Sequence, residues 1–205
     1  MVKRDLVNRF WFEEIPKLYA QRHGVDFQEA LETAQRSYDE IGDEDIRWYL
    51  PQYWFQRFDL EEEAEGVIEG LRGEVKLFPE VREVLGELKG RYKLIVISNA
   101  ARPFLEVELE EIEDYFEEVF SCVSDLNQVK KGAWVYREIL EELGAEAERV
   151  VHVGDNRRFD YLAPREAGMN SLLVDRNGSE EAQEEDCTIT NLKELVDSLE
   201  HKEGR

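Results

Sequence analysis

A chain of 205 residues with 42% hydrophobic content is long enough for one large domain, or for a core domain with a smaller insert, built around a real core. Its formal charge of -22, from 48 acidic against 26 basic residues, argues against a nucleic-acid backbone or an anionic membrane as partner. Cys122 and Cys187 stand far apart with no Cys or His at ligand spacing, so neither a zinc centre nor a disulfide framework is indicated, and a reducing cytoplasm is the default compartment.

In chain order, residues 4 to 22 place Leu6, Phe10, Ile15, Leu18 and Tyr19 among charged residues, the pattern of an amphipathic helix ending near Gly24, with Pro16 kinking it or splitting it in two. Asp26 to Ile41 predicts a second helix, with Phe27, Ala30, Leu31, Ala34 and Tyr38 on one face and Gly42 closing it. Asp43 to Leu60 predicts a third, rich in rings: Trp48, Tyr49, Tyr53, Trp54, Phe55 and Phe58. Rings at helical spacing read as bundle core before substrate pocket, because they supply burial to small units. Glu61 to Gly73 is a fourth, short helix. The first 74 residues thus form a helical unit with no strand.

From Val75 the character changes. Leu77, Phe78 and Pro79 form a connector, Glu80 to Gly90 a helix, and the β-branched run Tyr92 to Ile97 a strand ending at Ser98-Asn99-Ala100. Helix (Pro103 to Phe116), strand (Val119 to Ser124), helix (Ala133 to Gly144), strand (Arg149 to Val153), helix (Phe159 to Gly168) and strand (Ser171 to Val174) come next in alternation. A strand at Thr188-Ile189 and a helix from Asn191 to Glu200 end the chain. Such alternation with short loops predicts an α/β fold with a Rossmann-like parallel sheet in three layers, spanning residues 75 to 205 beside a helical domain of residues 1 to 74.

Polar residues collect at the predicted strand ends, where open α/β sheets bind their ligands. Ser98 offers a hydroxyl beside loop N–H groups, and Lys130 or Lys131 offers a point charge before a helix; both suit phosphoryl oxygens. Asp155 ends the apolar strand Val150 to Val153, and Asp160 lies five residues later at the entry to a helix. Two acidic groups there repel unless a cation such as Mg²⁺ lies between or beside them. Each has a plainer reading. Ser98-Asn99 serve as turn formers or a helix cap, the lysines as a solvated pair, and Asp155 or Asn156 as N-cap with Asp160 in the dipole-favoured first turn. His152, inside an apolar strand, reads as a satisfied core histidine, His23 and His201 as solvated, and the acidic runs 61 to 65 and 180 to 185 as solvated surface.

Together these stretches resemble the haloacid dehalogenase (HAD) superfamily, whose members are mostly Mg²⁺-dependent phosphatases. LFPEVREVLGELKGRYKLIVISNA is similar to the family's second motif, which implies that Ser98 holds the phosphoryl group. Lys130 in KKGAWVYREILEELG stands where the third motif has its lysine, although Lys131 occupies the place of the usual Pro, so the choice between the two stays open. GDNRRFD resembles the fourth motif, implying Asp155 as direct metal ligand and Asp160 as second ligand or water-holder. Asn99 and Arg102, just beyond Ser98, are further candidates for substrate binding, Arg102 equally for pairing with nearby glutamates; Arg157 and Arg158 are open in the same way. Residues 1 to 74 resemble the family's helical cap.

The family opens with a strand bearing a D-x-D-x-T segment that carries the nucleophile and the general acid and base. Nothing here matches it, and Asp5, alone in a helical pattern, is given no catalytic role. The opening MVKRDLVNRFWFEEI reads like the stretch that normally comes directly after that segment, so the native product is expected to be longer by roughly 10 to 15 residues. The absent strand would lie centrally, between those ending at Ser98 and Asp155, leaving backbone groups unpaired unless these two close up or another segment fills the slot.

The resemblance therefore implies a Mg²⁺-dependent phosphatase for a small phosphorylated metabolite, acting through an aspartyl-phosphate in the full-length form. The contrasting reading is a non-catalytic phosphate- or Mg²⁺-binding interaction protein that has lost its nucleophile. Hydrolysis of 2-haloacids needs no metal and gives Asp155 with Asp160 no purpose, and a receiver domain would open with its own strand and acidic pair. No apolar run approaches the roughly 20 residues of a membrane span, and no signal-peptide core comes after Met1-Val2-Lys3-Arg4. The Glu-heavy 36% charged content is compatible with a heat-loving source. Neither substrate identity nor oligomeric state is legible.

Overall fold

The structure is a computed structural model that describes residues 1–3, 5–129, 132–178 and 187–203. In chain order its helices and strands begin with α1 (Asp5–Arg9), a π-helical segment (Phe10–Glu14), α2 (Ile15–His23), α3 (Phe27–Ile41), α4 (Pro51–Arg57) and α5 (Ala64–Gly70). Next come α6 (Val81–Lys89), β1 (Ile95–Ser98), α7 (Arg102–Leu109), β2 (Glu118–Ser121), α8 (Ala133–Leu143) and β3 (Val151–Gly154). A second π-helical segment (Arg157–Leu162), α9 (Ala163–Glu166), β4 (Asn170–Val174), β5 (Thr188–Ile189) and α10 (Lys193–Glu203) complete the series. This is the expected α/β fold, with parallel strand pairs preceded by an all-helical region. It divides into two compact units, Met1–Phe78 with Ile95–Val129, and Pro79–Leu94 with Lys130–Arg205.

In the first unit, the amphipathic helix read from residue 4 onward forms as one run whose register changes before Pro16. Proline has no N–H to give to the preceding turn, and the Ile15 N–H reaches Phe10 O, five residues back, instead of four. The wider turn absorbs what would otherwise be a kink. Gly24 ends α2 at φ 69°, its N–H bonded to Ala20 O, and Asp26 caps α3 by accepting the Glu29 N–H at 3.0 Å. The third predicted helix is broken. Pro51 forces Leu50 into extended backbone (φ -96°, ψ 107°), leaving a 3₁₀ turn at Ile46–Tyr49 and the short α4.

The rings do pack as core. Phe10, Trp11, Trp54, Phe55 and Phe58 are buried together with Ala101, Phe104 and Val107, so the N-terminal helices share one apolar cluster with the start of α7. Edge-to-face pairs dominate, as ring quadrupoles favour: Tyr38 with Trp54 at 4.7 Å and Phe10 with Phe104 at 5.0 Å. Composition alone changes near residue 75, but packing joins residues 1–78 to 95–129. The chain's first residues run antiparallel to the connector, with Val2 bridging Leu77 and Lys3 N–H bonded to Lys76 O at 2.9 Å. β1 pairs with β2 in parallel, from Ile95 opposite Glu118 to Ser98 opposite Ser121.

In the second unit, β3, β4 and β5 form a parallel ladder in that order, with Gly154 opposite Leu173 and Val174 opposite Ile189. β1 and β3, the two strands expected to flank a central slot, therefore belong to different ladders. The predicted last helix forms as α10, beginning two residues later than its pattern suggested, after the Asn191 side chain accepts the Lys193 N–H at 2.9 Å.

Candidate phosphate and metal site

β1 delivers Ser98 to its carboxyl end, and the local hydrogen bonds set the hydroxyl's role. Ser98 Oγ accepts the Ala100 N–H at 3.1 Å, which fixes the side chain and leaves its proton to be donated. Ser98 O accepts the Cys122 N–H at 2.7 Å, tying the loop to β2. Asn99 is next, with its side-chain oxygen buried and, among the described residues, without a hydrogen-bond partner. Leaving a buried polar atom unpaired costs roughly 1–3 kcal/mol, so this oxygen is an acceptor suited to a donor group on a ligand.

Arg102 is engaged elsewhere. Its guanidinium donates to Val119 O at 2.9 Å and pairs with Asp125, whose carboxylate also accepts the Ser121 N–H at 2.7 Å. Its backbone N–H donates to Ser124 Oγ, and Ser121 Oγ donates to Ala100 O. Arg102 thus binds the loop after β1 to the loop after β2, a role its position in the sequence did not show. Lys130 and Lys131 lie outside the described residues.

At the end of β3 the two aspartates separate in character. Asn156, not Asp155, caps the second π-helical segment, its side chain accepting the Phe159 N–H at 2.9 Å. Asp160 returns the bond: its carboxylate, with the residue 4% exposed, accepts the Asn156 N–H at 3.0 Å. This reciprocal arrangement is a capping box spread over a wider turn, and the Ala163 N–H reaches Arg158 O, five residues back, just ahead of Pro164. The helix-start reading thus accounts for Asn156 and Asp160. Asp155 takes no part in the cap and lies exposed directly after the strand. Gly154 permits the packing; a Cβ there would lie 2.4 Å from the Asp160 carboxylate.

Asp160 has a second neighbour in His152, the histidine read as satisfied within its strand, whose partners no spacing names. His152 Nε2 lies 3.2 Å from Asp160 Oδ1 and 3.1 Å from the Tyr136 hydroxyl, which donates to Phe159 O at 2.7 Å. The available signal was the period-2 pleat, which puts residues 152 and 154 on one face of β3.

Among the described residues, no three His, Cys, Asp or Glu side chains gather as a metal cage. Two carboxylates at one strand end are an all-oxygen set, which fits Mg²⁺, an ion that keeps several waters and takes one or two carboxylates alongside phosphate oxygens. A separate open cavity of about 590 Å³ is lined by Asp5, Asn8, Arg9, Phe12, Glu74 and Lys76 among others. It contains none of the candidate residues, and its charges are paired, Arg9 with Glu74 and Lys76 with Asp5. No helix among the described residues is long and apolar enough to cross a membrane.

The strand-end placement defines the class. The family model for haloacid dehalogenase-like hydrolases matches residues 4–168, and the chain belongs to that family. It is 25% identical over 154 residues to the GMP/IMP nucleotidase YrfG of Escherichia coli strain K12, covering 73% of this chain and 67% of that protein. Its fold is similar to a HAD phosphatase from Thermococcus onnurineus (TM-score 0.85, 23% identity, 97% of this chain and 93% of that one). It is also similar to a 2-haloacid dehalogenase from Pseudomonas syringae pv. Tomato DC3000 (TM-score 0.69, 22% identity, 96% and 91%).

Proposed function

We infer that this hydrolase is a Mg²⁺-dependent phosphatase of the cytoplasm, acting on a small phosphorylated metabolite. The observation that carries the reading is the exposed Asp155, directly after β3 in a loop whose cap and buried clasp are supplied by other residues. An acidic group presented this way in a chain of net charge -22 is suited to a cation, and a cation in turn suits a phosphate. The similarity to a GMP/IMP nucleotidase supports a phosphate monoester as substrate.

In this reading Ser98 donates its hydroxyl proton to a phosphoryl oxygen, and Asn99 orients the bound group. One lysine of the 130–131 pair neutralises charge that develops on the transferring phosphoryl. Mg²⁺, held by Asp155 with Asp160 behind it, would supply Lewis-acid neutralisation of the remaining phosphate charge. Arg102 serves the loops and not the substrate. The attacking carboxylate in this reading is the family's D-x-D-x-T aspartate. Hydrolysis of 2-haloacids gives the exposed Asp155 no task.

The test is release of phosphate from p-nitrophenyl phosphate and from nucleoside monophosphates by the protein. Release that needs Mg²⁺ and falls to background in Asp155→Ala is expected. Release unchanged by chelation or by Asp155→Ala, or binding of phosphate with no turnover, would refute the reading.

A further inference from the structure

We propose that His152, backed by Tyr136, is a positioning residue for the loop that carries Asp155, acting through Asp160. This deepens the reading of Asp155 as a metal ligand and rests on it.

The assignment begins with the pleat of β3. His152 and Gly154 share a face of the strand, and the Asp160 carboxylate fills the space that a side chain at 154 would need, an added Cβ falling 2.4 Å from its Cγ and Oδ2. The carboxylate is thereby brought onto the imidazole. Both groups are enclosed, the His152 side chain 12% exposed and that of Asp160 5%. A carboxylate in such a place is held by donors. Its Oδ2 accepts the Asn156 N–H at 3.0 Å, and its Oδ1 lies 3.2 Å from His152 Nε2.

Proton counting then decides which way the second contact runs. Tyr136, fully buried, has one hydroxyl proton and donates it to Phe159 O at 2.7 Å. Its oxygen can therefore only accept from His152 Nε2, 3.1 Å away. An ionised carboxylate accepts and never donates. Both neighbours of Nε2 are acceptors, so Nε2 carries the proton and the neutral imidazole is the Nε2–H tautomer. His152 donates, and Tyr136 and Asp160 receive.

The result is a clamp on two successive residues. Tyr136 of α8 holds the carbonyl of Phe159, and His152 of β3 holds the side chain of Asp160. Asp160 in turn fixes the Asn156 N–H, one residue beyond Asp155. The direction in which Asp155 leaves the strand is set by this chain of contacts, and His152 is its link to the sheet. Partners of this kind, behind the residues that touch a metal, are typically worth about 10- to 100-fold in metal affinity.

The experiment is titration of the protein with Mg²⁺ by calorimetry, together with ¹⁵N NMR of the histidine rings. His152→Leu removes the donor at similar volume, and His152→Gln keeps an N–H donor. In the wild-type protein the ring proton should appear on Nε2 of His152. His152→Leu should weaken Mg²⁺ binding by about 10- to 100-fold, and His152→Gln should restore most of it, a rescue that side-chain volume alone would not produce. If His152→Leu fails to fold, Tyr136→Phe carries the test: it keeps the ring, removes the hydroxyl, and should weaken Mg²⁺ binding in the same direction while shifting the His152 nitrogen resonances. A proton on Nδ1, or Mg²⁺ binding that depends on Asp155 but is unchanged in His152→Leu or, failing that, Tyr136→Phe, overturns the role of His152 alone. Absence of Mg²⁺ binding by the wild-type protein, or binding indifferent to Asp155→Asn, overturns the metal reading itself.

Discussion

Two aspartates five residues apart diverge because one is enclosed and the other is not. Asp160 is 4% exposed, its carboxylate accepting the Asn156 N–H beside His152, whereas Asp155 is exposed directly after its strand. Burial has a different effect on Glu108 of α7, where it raises the pKa from the ordinary 4.5 to about 7, the Met1 ammonium offsetting part of the shift. A carboxylate held above its unfolded value keeps its proton in the native state over a range where the unfolded chain has lost it. Glu108 therefore contributes fully below about pH 4.5, and that contribution fades as pH rises through about 7. The loss is at most about 3 kcal/mol, less where water reaches the side chain. Glu108→Gln should remove this slope, leaving the variant similar to wild type in urea unfolding at pH 5 and more stable at pH 8; a difference of the same size at both pH values would contradict it. The places of Ser98 at the end of β1 and Asp155 directly after β3 were legible because an apolar run closed by a polar residue marks a strand's end. The partners of His152 and Arg102 were not, since they lie 16 and 23 positions away, at Tyr136 and Asp125, and separations of that kind have no period to betray them.

At the scale of elements, the prolines decide most of what hydrophobic periodicity leaves open. Pro51 divides the aromatic stretch into a 3₁₀ turn and a short helix, while Pro16 and Pro164 each come two residues after a π-helical segment. The periodicity marked which faces are buried; it did not carry the change of hydrogen-bond register, which comes from a missing N–H. β1 illustrates the converse: the run Tyr92 to Ile97 predicted a longer strand, and only Ile95–Ser98 find a partner, because pairing depends on where β2 begins. Trp54 tests whether the ring cluster holds the first unit together. It is fully buried, donates its indole N–H to Trp48 O at 3.1 Å and packs edge-on against Tyr38. Trp54→Ala should cost about 3–5 kcal/mol, a large share of a typical domain's stability, seen as a lower urea midpoint. A loss under about 1 kcal/mol would mean that the rings are replaceable filling and the aromatic pattern had another purpose.

For the whole molecule, the net charge of -22 shapes both stability and ligand choice. Self-repulsion opposes the compact state and keeps phosphate away unless positive charge or a cation is set in its path. The central proposal is that a cation held at Asp155 brings phosphate to the protein, and linkage gives it a direct thermodynamic form. Calorimetric titration of inorganic phosphate should therefore be carried out with and without Mg²⁺ on wild type and Asp155→Asn. Binding tightened by Mg²⁺ in the wild type and not in Asp155→Asn is the expected result; phosphate binding indifferent to Mg²⁺ in the wild type would contradict it.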